Sequence, residues 1–509
     1  MIRKQQQAPK KIAGAFSVSR DGERVAFFSV LGLVVAFYFW TATTNGVYPN
    51  NSSAIYYPLL SKSFMEGHLD LPIKPLPELL ALSDPYDPIL NQNYRLHDTS
   101  LYNGRYYIYF GPTPVILIFL PWLLLTGTYF PQYLAVPIFC SAGYILGALL
   151  FMAMVRRYFP STPLWLKIIC LLSLGMANVC PFLLRRPDIY EVAIGCAYFL
   201  LQLIFYSFYR ALQEPARALP WLVLASIAIG ASAGARFNYA LLGFIFTAAI
   251  LVMVWQRYVK AGRNRWGLLW ALVPVACIGL ILMWYNYARF GSPFELGRDY
   301  QLTGRMESRH LQRAVQLENI PIGFWFYFLS PPAVSPKFPF IDAIPTIWFH
   351  MPTYYYEVEK VTGLFVISPV ALLALTLPWL LNKKWETGNA PLLATLVFMT
   401  ASVSLLTASL LCYGGVTMRY EADFAPTLVL FGCIMLCHFH SLPRKSKIGR
   451  WALNGIFAVI LLIGLWNGLC LSFTGYYDYL RLGSPETYAT LEQIFSPIEI
   501  IAKAIVDLF

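Results

Sequence analysis

Four regions of the chain gather the residue types that do chemistry. The first runs Asp84-Pro85-Tyr86-Asp87-Pro88, then Tyr94-Arg95-Leu96-His97-Asp98, then Tyr102-Asn103-Gly104-Arg105-Tyr106-Tyr107-Ile108-Tyr109-Phe110. Carboxylates, one imidazole, arginines and rings in one stretch are what a sugar site uses. Polar groups hold hydroxyls, and aromatic faces cover the apolar side of the ring. Asp-Pro turns are the plainer reading of any single acid there. The second region is Arg185-Arg186-Pro187-Asp188-Ile189-Tyr190-Glu191, the third Gly234-Ala235-Arg236-Phe237-Asn238-Tyr239, and the fourth Met418-Arg419-Tyr420-Glu421-Ala422-Asp423-Phe424-Ala425-Pro426. Each places arginine beside a long apolar run. Arginine is the residue that grips phosphate with two parallel hydrogen bonds.

Other chemistries find little support. There is no GxSxG, no HExxH, no Walker A motif and no dinucleotide fingerprint. His310 and His350 lack metal-ligand spacing. Cys140, Cys170, Cys180, Cys196, Cys277, Cys412, Cys433, Cys437 and Cys470 all lie in apolar runs without a CxxC, so no structural disulfide is expected. Arg289 and Glu295 read as a local pair.

The elements that hold these residues are set by composition. Of 509 residues, 58% are hydrophobic and only 13% charged, and the mean hydropathy is +0.55. A soluble domain runs nearer a quarter charged, so the chain reads as an all-α polytopic membrane protein. Apolar runs fall at 25–43, 113–126, 133–155, 164–184, 189–209, 219–235, 239–256, 267–286, 362–381, 390–411, 424–441 and 451–471. A span needs ~20 such residues, and run 113–126 is short. Basic loops decide its fate, because Lys and Arg collect on the cytoplasmic side. With 113–126 outside the count, the tail bearing Arg3, Lys4, Lys10 and Lys11 falls on one side with loops 257–266, 382–389 and 442–450. Eleven spans result, with the N-terminus cytoplasmic and the C-terminus external. The acids agree: only Asp21, Glu23, Glu214 and Glu386 fall inside. The net charge of +12 is therefore a matter of topology, not of nucleic-acid binding. The first apolar run is too long for a signal-peptide core and has no small-residue cleavage site.

This division gives a basic cytoplasmic tail at 1–24, one transmembrane domain at 25–471 and an external tail at 472–509. Two long external loops, 44–132 and 287–361, interrupt the domain. Two juxtamembrane helices, 54–67 and 113–126, are expected in the first loop. All four chemical regions then fall on the outer side. No internal repeat is present, and charges collect at span ends rather than mid-span. Both features weigh against a lipid or sugar transporter, which otherwise stands as the alternative, beside a non-catalytic membrane protein.

In this order of elements the chain resembles the GT-C superfamily of integral-membrane glycosyltransferases, in particular the protein O-mannosyltransferase and aminoarabinose-transferase type. The likeness covers 25–441. It rests on the first span leading to a long loop with juxtamembrane helices, on Arg186-Pro187-Asp188, on Arg236 ending a Gly/Ala-rich span, and on Arg419-Tyr420 to Pro426. The resemblance implies transfer of a sugar from a polyprenyl-phosphate donor to a glycan, lipid or protein acceptor. That reaction would take place on the outer face of a membrane, with the bacterial plasma membrane the expected location. Substrate contacts are expected from Arg185, Arg186, Arg236, Arg419, Tyr420, His97, Arg105 and Asn51. The superfamily's post-span Asp, the base for the acceptor hydroxyl, falls here at Asn51-Ser52, which cannot serve. The catalytic carboxylate is therefore expected at Asp98, with Asp188 and Asp87 behind it. Metal use is left open, a divalent cation being the cofactor to consider.

Overall fold

A computed structural model describes residues 20–44, 55–261, 266–304, 315–347, 351, 356–381, 389–443 and 446–506. Asn51 lies outside the described residues, as do most of the basic N-terminal tail, His310 and His350.

Among the described residues, eight helices are long and apolar enough to cross a membrane. They are Asp21–Thr43, Gln132–Tyr158, Ile189–Gln213, Pro215–Ala233, Phe237–Gln256, Trp266–Phe290, Ala390–Leu411 and Lys447–Thr474. The other three expected spans are shorter helices, Leu164–Met176, Pro369–Leu380 and Ala425–Ser441. The first of these covers only ~20 Å, short of the ~30 Å hydrocarbon core. It stops because Asn178 turns its side chain on the backbone. Asn178 Nδ2 donates to the Leu174 carbonyl, and Oδ1 accepts from Cys180 N at 2.7 Å. Pro181 then starts a second short helix, Cys180–Leu184.

The two expected juxtamembrane helices are present as Tyr56–Met65 and Val115–Thr126. They pack together through stacked Tyr57 and Phe119 rings, 5.5 Å apart. Val115–Thr126 does not carry the chain to the other end of the bundle. Glu23, at the start of the first helix, bonds Arg156 at 3.0 Å and Lys167 at 3.4 Å. The first helix therefore begins where Gln132–Tyr158 finishes, and segment 55–131 begins and ends at the opposite end, called here the loop face.

The long segments also carry short strands that the sequence reading did not include. Thr99–Tyr102 pairs antiparallel with Arg105–Ile108. Their turn is Asn103-Gly104, both at positive φ (50° and 69°), the Asn-Gly signal of a two-residue hairpin. A bridge from Ser100 to Gln301 joins this hairpin to the second long segment. Ala333–Val334 pairs with Ile341–Asp342, and Glu357–Val358 runs parallel to Gly415–Val416. The C-terminal stretch also has form. Helix Pro485–Val506 docks Phe495 onto Phe338 at 5.5 Å and Phe473 at 5.6 Å.

Candidate functional site

Asp98 sits where the 94–98 loop meets the hairpin. Its φ of 57° is left-handed, a conformation that Asp and Asn accept more readily than most residues. Its backbone N–H donates to the Leu302 carbonyl at 2.9 Å, and Gln301 Nε2 donates to Oδ1 at 3.4 Å. His97 Nε2 lies 3.5 Å from Oδ2. The side chain is buried. Burial pushes the carboxyl above the usual range, although His97, Arg419 and Arg95 pull it down. Asp98 is thus a poorly hydrated acid facing cations, poised nearer neutrality than a surface Asp.

Across from it, the turn Met418–Asp423 presents Arg419 and Tyr420. Arg419 Nη2 bonds Glu359 at 3.1 Å, and Tyr476 OH donates to the same carboxylate at 3.2 Å. Burial alone would raise Glu359, but Arg419 and the hydroxyls of Thr417 and Tyr476 outweigh it and hold it below the ordinary range. Arg186 donates from Nε and Nη2 to Glu191 Oε1 at 2.9 and 2.6 Å. Both guanidinium groups lie over the same two rings. Arg186 is 4.3 Å from Tyr476 and 5.2 Å from Tyr190; Arg419 is 5.4 and 4.7 Å away. Such stacking holds a desolvated cation without quenching its charge.

Arg236 completes the other flank. It bonds Asp423 at 2.6 Å and lies 4.9 Å over Tyr420. Asn238 and Tyr239 donate to the same carboxylate at 3.0 and 2.9 Å. Arg298 donates to Tyr413 OH at 3.2 Å. Tyr109 ties the halves together. Loss of water and the Asp98 carboxylate push its phenol well above the ordinary value, while Arg419 and Arg298 pull it down.

Of the residues singled out from the sequence, Asp98, His97, Arg186, Arg236, Arg419 and Tyr420 converge here. Three others are engaged elsewhere, and Asp188 stands at the edge of the cluster beside Glu191. Asp87 Oδ1 accepts from Ile89 N at 2.8 Å, an Asx turn. Asp188 caps helix Ile189–Gln213, accepting from Ile189 N at 2.7 Å. Arg185 is fully buried, donates to the Ser472 carbonyl and to Thr44 Oγ1, and lies 5.6 Å over Trp40. Arg105, exposed on the hairpin, lies 3.5 Å from Asp70. Arg289 and Glu295 each bond backbone instead: Arg289 Nη1 donates to the Ile108 carbonyl at 2.7 Å, and Glu295 accepts from Gly297 N.

Sequence reasoning missed Glu359, Tyr476, Arg298, Asp423 and the part played by Tyr190. Asp423 had a signal, sharing one short turn with Arg419. Glu421, in the same turn, is fully buried, and among the described residues neither of its oxygens has a hydrogen-bond partner. Burial pushes its carboxyl well above the ordinary range. Among the described residues no three His, Cys, Asp or Glu side chains gather in a way that would hold a metal ion.

No protein-family model and no curated protein matches the chain. Among solved structures it is similar to the archaeal oligosaccharyltransferase AglB from Archaeoglobus fulgidus, in complex with an inhibitory peptide and a dolichol-phosphate. That likeness has 15% identity and a TM-score of 0.49, over 89% of this chain and 56% of that one. It is also similar to ArnT from Cupriavidus metallidurans bound to undecaprenyl phosphate, with 14% identity and a TM-score of 0.44, over 93% of this chain and 80% of that one. The chain thus spans little more than half the length of the archaeal protein.

Proposed function

We propose that the chain is a membrane glycosyltransferase. It takes a sugar from a polyprenyl-phosphate carrier and passes it to an acceptor hydroxyl at the loop face, which we place on the outer side of a bacterial plasma membrane. One arrangement supports this reading: a desolvated carboxylate, Asp98, lies in the field of Arg419 on a face where Arg186, Arg236 and Arg298 also gather among tyrosine rings.

The chemistry follows from that arrangement. Asp98 accepts the proton of the acceptor hydroxyl. The freed oxygen attacks the anomeric carbon, and the bond from that carbon to the phosphate oxygen breaks. The electron pair stays on the carrier phosphate, whose growing charge falls toward the arginines. Arg186, Arg236 and Arg419 each bring a carboxylate, whereas Arg298 is held by the hydroxyl of Tyr413. Arg298 therefore offers the least compensated positive charge to the phosphate. Tyr109 and Tyr420 supply ring faces for the sugar.

The test is a purified preparation in lipid nanodiscs given a polyprenyl-phosphate-linked sugar. Release of free carrier phosphate that depends on Asp98 supports the transferase reading. Tight carrier binding with no bond cleavage under any acceptor mixture would leave only a lipid-binding protein.

A further inference from the structure

The last helix, Pro485–Val506, has 22 residues, yet it is not among those long and apolar enough to cross a membrane. Its side chains divide by face at helical spacing. Tyr488, Leu491 and Phe495 pack against the core. Ile494, Ile498 and Ile501 form a neighbouring stripe that is exposed. Glu486, Glu492, Gln493, Ser496 and Lys503 occupy the opposite side, exposed to solvent, with Ile500 the one large apolar residue among them. Glu499 stands at the border of the packed face, where it accepts from Phe338 N at 2.7 Å and lies 3.7 Å from Lys503. The apolar half of this helix is therefore covered by protein on one flank and bare on the other.

The last span fixes how deep the helix sits. Lys447–Thr474 has 28 residues, which makes it ~42 Å long at ~1.5 Å per residue. The hydrocarbon core is only ~30 Å thick, so counted from Arg450, at the end away from the loop face, it is crossed in ~20 residues, near Cys470. Phe495 touches the span on both sides of that level, 6.1 Å from Trp466 and 5.6 Å from Phe473. Trp466 and Phe473 share their face of the span with Val459, Leu462 and Ile463, which stand three, four or seven residues from Trp466. Those three side chains are exposed. The C-terminal helix thus lies across the loop-face end of a bare apolar stripe, at the level where hydrocarbon gives way to head groups.

We propose that helix Pro485–Val506 lies in the plane of the membrane at the loop face, with Ile494, Ile498 and Ile501 in the acyl chains of the surrounding lipid and the polar side toward water. The occupant of the isoleucine stripe is lipid rather than a second chain, because the stripe adjoins the bare apolar face of the last span. The helix sets Glu486, Glu492 and Glu499 against Lys503, so apolar burial holds it and attraction to anionic head groups does not. Through Glu499 and Phe338 it seats the strands Ala333–Val334 and Ile341–Asp342 at the bilayer edge. This seat goes beyond the transferase reading and stands without it.

The test uses the full chain in phosphatidylcholine vesicles, with the photoreactive residue p-benzoylphenylalanine replacing Ile494, Ile498, Gln493 or Val459 one at a time. All four side chains are exposed, and unchanged thermal unfolding checks the fold of each variant. Positions 494 and 498 should cross-link to lipid at least ~tenfold more than position 493, and as strongly as position 459 in the span. Adding phosphatidylglycerol or raising the salt concentration should leave these yields unchanged. Equal yields at 498 and 493 overturn the in-plane seat: strong at both, the helix is immersed in lipid; weak at both, it stands in water. Cross-links between two copies of the chain in place of lipid assign the stripe to self-association and also overturn the proposal. A yield that rises with phosphatidylglycerol and falls with salt overturns the apolar account of what holds the helix.

Discussion

Asp98 is the side chain on which the proposed chemistry turns, and its setting makes two measurements informative. A base works only when deprotonated. Burial raises this carboxyl, so kcat/KM should fall with decreasing pH through a limb displaced upward from the ordinary ~4 of an Asp. Asp98→Asn should lose ~10²–10⁴-fold in turnover, remove that limb and leave carrier binding intact. Full turnover in the purified variant would send the search to Asp188 and Asp87. Arg298→Gln should weaken carrier-phosphate binding about tenfold, and Arg419→Ala by at least ~1.5 kcal/mol, the scale of one hydrogen bond to a charged group. Unchanged binding in both would remove the phosphate argument. Asp98 and the span-end arginines stood out in the sequence because charges beside apolar runs are rare enough to need a reason. Glu359 and Tyr476 did not. Their importance lies in partners 60 and 117 residues apart along the chain, and no local pattern announces such pairs.

The helices that carry these residues were readable wherever twenty apolar residues run unbroken. They were blurred where polar side chains bond the backbone, as at Asn178. The Asn103-Gly104 hairpin carried its turn signal plainly, but it stood in a stretch read for its charges. Two features of the elements can be tested by thermal unfolding in detergent. A Cβ at Gly468 would lie 1.8 Å from the Met176 carbonyl oxygen, whereas one at Gly455 meets nothing within 4 Å. Gly468→Ala should therefore cost ~1–3 kcal/mol as the backbones are forced apart, while Gly455→Ala should gain ~0.5–1 kcal/mol of helix propensity. Equal effects would mean that the close approach is not made. The second feature is Glu421 in the turn that presents Arg419. Its raised carboxyl pKa means that the folded state holds the proton more tightly than the unfolded chain. The stabilising increment is complete below the ordinary carboxylate range and is lost as pH rises through the folded value. Wild-type Tm should decline over that interval and the Tm of Glu421→Gln should not. Parallel curves would show that Glu421 is solvated.

For the molecule as a whole, the alternation of basic and acidic loops predicted which segments share a face, and one measurement decides it. Ser83→Cys and Tyr129→Cys flank helix Val115–Thr126. Both should react with a membrane-impermeant maleimide from outside the cell. Reaction of Tyr129→Cys only from the cytoplasmic side would show that the helix crosses. What no loop charge foretold is that the C-terminal stretch folds back onto the 333–342 strands, since that contact is made by aromatic packing between distant segments. Long-range assembly gives Arg236 and Arg419 a carboxylate each, Arg186 finds one in nearby Glu191, and that pairing bears on how readily a carrier phosphate is released. Bare arginines would seize a carrier phosphate and keep it, so that the spent carrier would block the next donor. Guanidinium groups already matched to carboxylates can turn toward the phosphate while its charge is growing and return to their partners afterward. In the proposed transferase, carboxylates beside three of the four arginines would favour letting the discharged carrier go.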